Sequence, residues 1–258
     1  MNLKIKNMNN YIKHIVEDFD FNSVSNNVDA DDLILEQYYK KLFEKFVFEN
    51  EQMKPSDYEM FARNITEYGC KFKYKVMDEF VLQKIIGIYQ HKSLEHILKY
   101  TYNLNWIDTS RITYLTNFFK GTSYSEFLNV SEWDVSNVSN MIGIFCDCNG
   151  FNCDISKWNV SKVEDAAEMF YGCEHFNQDI SKWNTHRLKN MNGMFYRCIR
   201  FNQDLSNWDV TNVKYFVETF AFTKSLNKTN FEKWSMPNLE IARSAFDWTD
   251  YPMPNWYL

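Results

Sequence analysis

Tryptophan recurs at a fixed interval along the second half of this 258-residue chain. Trp133, Trp158, Trp183 and Trp208 are each 25 residues apart, and Trp234 follows after 26. Phe119, Phe145, Phe170, Phe195, Phe220 and Phe246 repeat the interval independently, at 26, 25, 25, 25 and 26 residues. A period between about 20 and 50 residues restricts a chain to solenoids, propellers or arrays, because each unit buries its apolar face only against its neighbours. One register therefore runs from about residue 101 to the C-terminus.

Aligned on tryptophan, the unit reads F-N-x-D-I-S-x-W-[ND]-V-S-x-V-x-x-M-x-x-M-F-x-x-C, most cleanly over 151–173 and 176–198. Two shorter periods lie inside it. Trp158 and Val160, or Trp208 and Val210, alternate with polar residues, which predicts a short strand with one face buried. Ser136, Ser161 and Thr211 are good helix caps, and Val163, Ala166, Met169 and Phe170 then fall on one face of a short helical turn. A strand, a capped helical turn and a return loop predict an α/β repeat solenoid, and six tryptophans, counting Trp106, predict about six coils of 25 residues.

Residues 1–100 read as an all-α cap or domain. Asp29 or Asp31 opens a helix through Leu35, Tyr39, Leu42, Phe43 and Phe46; Pro55, Ser56 and Glu59 open another that stops at Gly69. Lysines alternating with apolar residues over 71–76 permit a short strand, a helix is expected over 77–89, and Ser93 opens a last one. The ends of a repeat array must be covered for solubility, which gives such a segment a role whatever else it does.

The run FNQDISKWNTHRLKNMNGMFYRC (176–198), followed by FNQDLSNWDV, resembles the BspA-like leucine-rich repeats of bacterial surface antigens. It is more closely similar to the variant of mycoplasma lipoproteins that is also seen in large DNA viruses and protists. The resemblance covers 101–258. It implies a right-handed leucine-rich-repeat-like solenoid used for protein binding or adhesion, and no catalytic set. Surface-anchored members begin with a signal peptide; Met1 to Asp20 holds no apolar run of that kind, so a cytoplasmic or other intracellular place, in a host cell or virion if the source is viral, is expected.

Several columns invite chemistry. Cys148, Cys173 and Cys198 share a position with Thr122, Thr223 and Thr249, which reads as a compact, nearly buried site for reduced thiols. Cys146, Cys148 and Cys153 match no standard zinc spacing. Asp154, Asp179 and Asp204 suggest calcium or glycosidase chemistry, against the simpler reading that Asp closes a tight turn on its own backbone. His14, His91, His96, His175 and His186 show no metal or triad spacing, and phosphate-loop, dinucleotide and nucleophile-elbow motifs are missing. No enzyme activity, cofactor or metal is expected.

The net charge of −6 disfavours a nucleic-acid surface, and no stretch of 18 apolar residues spans a membrane. Alternation places the tryptophans inside. The opposite strand face then carries Glu132, Asp134, Lys157, Asn159, Lys182, Asn184, Asn207, Asp209, Lys233 and Ser235. That face is polar and varies from coil to coil, as a specific protein-binding surface needs. The leading expectation is a non-enzymatic protein–protein interaction scaffold whose partner binds there. A structural component assembling end to end and a carbohydrate-active β-solenoid using Asp154, Asp179 and Asp204 are the alternatives. The uncharged tail Tyr251 to Leu258 reads as an aromatic lid on the last coil or as an exposed docking peptide.

Overall fold

The structure is a computed structural model that describes residues 74–75, 78–89, 102–229 and 231–257. All of these lie in one compact unit, Ala62–Leu258. The helices expected over 31–46, 56–69 and from Ser93 fall outside the described residues. Within them, strand β1 (Tyr74–Lys75) is followed by helix α1 (Glu79–Tyr89), where a helix was expected, so the part of the N-terminal segment that is described is not all-α. β1 pairs in parallel with β2 (Ile107–Asp108).

Successive repeats are joined by a parallel ladder. Single-residue bridges run Tyr114↔Asn140↔Asp165↔Asn190↔Tyr215, and β3 (Tyr215–Val217) then pairs with β4 (Ile241–Arg243), making six rungs. The hydrogen bonds repeat with the sequence. The N–H groups of Met141, Gly143, Phe145 and Asp147 donate to the carbonyls of Asp165, Ala167, Met169 and Tyr171 at 2.7–3.1 Å. One repeat later, those of Ala166, Glu168, Phe170 and Gly172 reach Asn190, Asn192, Met194 and Tyr196 at 2.8–3.0 Å.

The ladder lies where a helical turn was expected, not at the tryptophans, and the reason is local. Val163 donates to Val160, Met169 to Ala166, Cys173 to Phe170 and Phe176 to Cys173, each closing a four-residue β-turn. Chained turns of this kind send every third residue inward, a period close enough to 3.6 to imitate a helix over eight residues. Glu168, within the expected helix, sits at φ 55°, as do its counterparts Asn117, Gly143, Gly193, Glu218 and Ser244 at φ 53–59°. A second left-handed column follows four residues later: Gly121, Asp147, Gly172, Arg197, Phe222 and Trp248, at φ 56–71°. A right-handed helix cannot pass through such residues. At Gly143 the conformation and the space coincide, because a Cβ there would collide with the Asn117 carboxamide.

Inside, each sequence column is a physical stack. Phe119, Phe145, Phe170, Phe195, Phe220 and Phe246 stack ring on ring at 5.3–5.9 Å. Trp133, Trp158, Trp183, Trp208 and Trp234 are 3–6 % exposed. Each indole N–H donates to a carbonyl of the preceding repeat: Leu104, Val130, Ile155, Ile180 and Leu205, at 2.9–3.2 Å. A buried indole needs a partner for its one donor, and here that need fastens each repeat to the one before. Trp106 is not part of this column. Ile107, whose N–H closes the same turn onto Leu104 that Trp133 closes onto Val130, takes the position.

At both ends of the array, side chains take positions where a further repeat would bond. From the third rung on, two adjacent N–H groups converge on one carbonyl of the preceding rung, as Glu164 and Asp165 do on Ser139. On the first rung the N–H groups of Thr113 and Tyr114 converge on Glu79 Oε1 instead, at 2.7 and 3.1 Å, with the Thr113 hydroxyl at 2.7 Å. At the other end the tail folds onto the last rung. Trp256 Nε1 donates to the Phe231 carbonyl at 2.6 Å, the next acceptor in the tryptophan column, and Tyr257 Oη accepts from Ala245 N at 2.9 Å.

Candidate functional site

The ten residues singled out on the polar face are outward in the structure, Ser235 at the end of the row among them. Glu132, Asp134, Lys157, Asn159, Lys182, Asn184, Asn207 and Lys233 are exposed, and Asp209 is half-buried. They separate into two columns with different duties. Asp134, Asn159, Asn184 and Asp209 each accept a hydrogen bond from the backbone N–H two residues on, at 2.9–3.2 Å. These are Asx-turns, which fix the chain direction after each tryptophan. Asp209 also accepts from the Thr211 hydroxyl and lies 3.1 Å from His186 Nδ1. The Thr211 hydroxyl, its N–H and His186 together hold that carboxyl below its usual range. Glu132, Lys157, Lys182, Asn207 and Lys233 form the neighbouring column and make no Asx-turn.

The aspartates Asp154, Asp179 and Asp204 repeat the turn in another column. Each accepts from the N–H of Ser156, Ser181 or Ser206 at 2.9–3.0 Å, and the serine hydroxyls and N–H groups hold all three carboxyls below the ordinary range. A glycosidase acid must instead keep its proton near neutral pH, through a raised pKa. These carboxylates are arranged as acceptors. The Asn152, Asn177, Asn202 and Asn227 column runs beside them, with the N–H of Asn177, Asn202 and Asn227 donating to the preceding carboxamide at 2.9–3.0 Å.

The cysteine column is buried and inert in its geometry. Cys148, Cys173 and Cys198 direct Sγ at the carbonyls of Phe119, Phe145 and Phe170 at 2.8–3.0 Å, and the Thr223 hydroxyl does the same to Phe195 at 2.7 Å. Burial pushes the thiols up, to about 12 for Cys148 and about 11 for Cys146, so the nucleophilic thiolate is disfavoured. Among the described residues no three His, Cys, Asp or Glu side chains are grouped so as to hold a metal ion. A narrow apolar gap lies between the Trp183 and Trp208 rings and Met141, Ala166, Met169 and Met194, with room for about 10 Å³. It is too small for an organic ligand.

One surface feature was not read from the sequence. Tyr171 and Tyr196 stack at 4.4 Å, Tyr196 meets the edge of Phe222 at 5.3 Å, and Phe222 stacks on Trp248 at 5.8 Å. Trp248 is 72 % exposed. Its sequence traces are Tyr171 and Tyr196, each following a column phenylalanine, and Phe222 and Trp248, each two residues after one, all masked by the stronger phenylalanine column.

A sequence family described as a Mycoplasma protein of unknown function, DUF285, matches the chain over 89–198 and again over 158–253. Together the two placements span well over half of it. The chain belongs to this family. Their overlap, 158–198, falls on the most regular repeats, as expected when a family pattern is itself repetitive. No curated protein and no solved structure matches the chain. Among the described residues no helix is long and apolar enough to cross a membrane.

Proposed function

We propose that the chain is a non-enzymatic protein-interaction scaffold, a right-handed leucine-rich-repeat-like solenoid of BspA type that presents variable side chains from a rigid array. The observation that carries this reading is the split between adjacent columns on the polar face. Asp134, Asn159, Asn184 and Asp209 are committed to turns, whereas Glu132, Lys157, Lys182, Asn207 and Lys233 are exposed beside them and vary in charge. Each of these side chains stands on the β-turn that the N–H of the following tryptophan closes, so little backbone entropy is lost on binding, which is the advantage of presenting them this way. The three lysines favour a partner with an acidic surface, and exposed charges of this kind act mainly on association rate and specificity. Replacing Lys157 and Lys182 with glutamate in the full chain tests the face. Loss of a captured partner at unchanged melting temperature supports it; capture equal to wild type eliminates this column as the site.

A further inference from the structure

On every rung but the last, backbone groups on the C-terminal side are taken by the next repeat. The N–H groups of Leu115, Met141, Ala166 and Met191 donate forward, and so do those of Asn117, Gly143, Glu168, Gly193 and Glu218. The carbonyls of Thr113, Ser139, Glu164, Lys189 and Lys214 accept from the next repeat. Among the described residues the same columns end at Ala242 N, Ser244 N and the Glu240 carbonyl, with no rung beyond. β4 turns Ile241 N and the Arg243 carbonyl toward β3, so the intervening Ala242 directs both its backbone groups away from the ladder. Glu240, Ile241, Ala242 and Arg243 are all exposed, and the folded tail engages Ala245 rather than this stretch.

We infer that this edge is a dimer interface, closed by the β4 strand of a second copy pairing antiparallel about a two-fold axis at Ala242. The register follows from the free groups alone. At the axis the two Ala242 residues exchange both N–H···O bonds, and Ser244 N meets the carbonyl of the partner's Glu240, making four bonds from one self-complementary edge. Ile241, Trp248 and Met253, which are 47, 72 and 51 % exposed, flank that end and supply apolar surface. Head-to-tail growth is opposed at the other end, because Glu79 already holds the N–H groups of Thr113 and Tyr114 on the first rung. An open edge that meets only another open edge stops at two copies, whereas two open ends would make a fibre.

Sedimentation of the full chain tests this with a pair of charge variants. Like charges directly opposite each other on paired strands repel, and opposite charges attract. Wild type is expected to sediment as a dimer; Ala242→Lys and Ala242→Glu, each at an exposed position, are expected to be monomers with wild-type circular dichroism. An equimolar mixture of the two variants should return to twice the monomer mass. Should either variant fail to fold, Ile241→Lys and Trp248→Ser replace it and are likewise expected to be monomeric. A wild-type monomer at the highest soluble concentration overturns the inference, as does an assembly larger than two. Wild-type dimerisation of Ala242→Lys, or a mixture that stays monomeric, overturns it as well. A foreign peptide as the true occupant gives the first of these outcomes. The Lys157 and Lys182 variants should leave the dimer intact, so this result and that of the polar-face test are read separately.

Discussion

Among the described residues no rung lies beyond the first or the last, and the two ends of the array are finished with different chemistry. At the first, a carboxylate from α1 receives two N–H groups that would otherwise go to a carbonyl. At the last, Trp256 and Tyr257 deliver an indole donor and a phenol acceptor while covering Phe216 and Phe246 with their rings. One end is finished by charge and the other mainly by apolar burial. A repeat array thus needs terminal groups that copy the hydrogen-bonding positions of the absent unit, whatever their residue type.

The comparison can be broken at either end or measured against the middle. Phe170→Ala, in the centre of the aromatic stack, should cost about 3–5 kcal/mol in denaturant unfolding, which sets the interior scale. Ending the chain at Pro254 removes Trp256 and Tyr257 and should cost about 2–4 kcal/mol. A loss below half of that would mean that the tail does not close the array. Trp183→Phe keeps most of the ring but leaves the Ile155 carbonyl without its indole donor. It should cost about 0.5–1.5 kcal/mol, the net contribution of one hydrogen bond, because that carbonyl still accepts from the Trp158 N–H.

Glu79→Gln is expected to cost about 1 kcal/mol at neutral pH, in the range of other side-chain caps on backbone N–H groups. Its pH dependence is the sharper measurement. Burial works to raise the Glu79 pKa, but the N–H groups of Thr113 and Tyr114 and the Thr113 hydroxyl outweigh it and hold it below the ordinary value. A depressed carboxyl stabilises the fold above the usual glutamate range and loses that contribution as pH falls through its folded value. Melting temperatures of wild type and Glu79→Gln should therefore converge on acidification, whereas the Pro254 truncation should keep its deficit. The smallest effect belongs to the surface pairs between rungs. Lys189, 2.7 Å from Glu164, is exposed, and Lys189→Ala should leave the melting temperature unchanged in physiological salt.

Much of the interior was legible because each column is set by one repeated requirement. The alternation around Trp158 and Trp183 located the tryptophans inside, and the mixed Cys/Thr column corresponds to donors reaching the preceding repeat's carbonyl. Placing the ladder from sequence failed over 163–170, where chained β-turns and helix send residues inward at nearly the same spacing. The left-handed residue that separates the two is glycine in Gly143 and Gly193 but glutamate in Glu168 and Glu218, so no constant residue marks it. Trp106 misled because one extra residue shifts it off the column, where an isoleucine stands instead. On the polar face, the sequence found the outward residues without dividing turn-forming Asn and Asp from the neighbouring column, which makes no Asx-turn. Both residue types look alike until the i+2 hydrogen bond is seen. Glu79 was not foreseen, since a contact made once in a chain leaves no periodic trace, and the Tyr171–Trp248 stripe was missed because its residues change column between Tyr196 and Phe222.

Because each tryptophan is bonded to a carbonyl one repeat back, the array has translational symmetry between two fixed terminators. Removing residues 151–175, or inserting a copy of them, brings each donor to an equivalent acceptor, with the Glu79 and Trp256 closures untouched. The length of the molecule is therefore an adjustable quantity. Genes encoding it can lengthen or shorten by whole units of 75 nucleotides without a new core having to be invented.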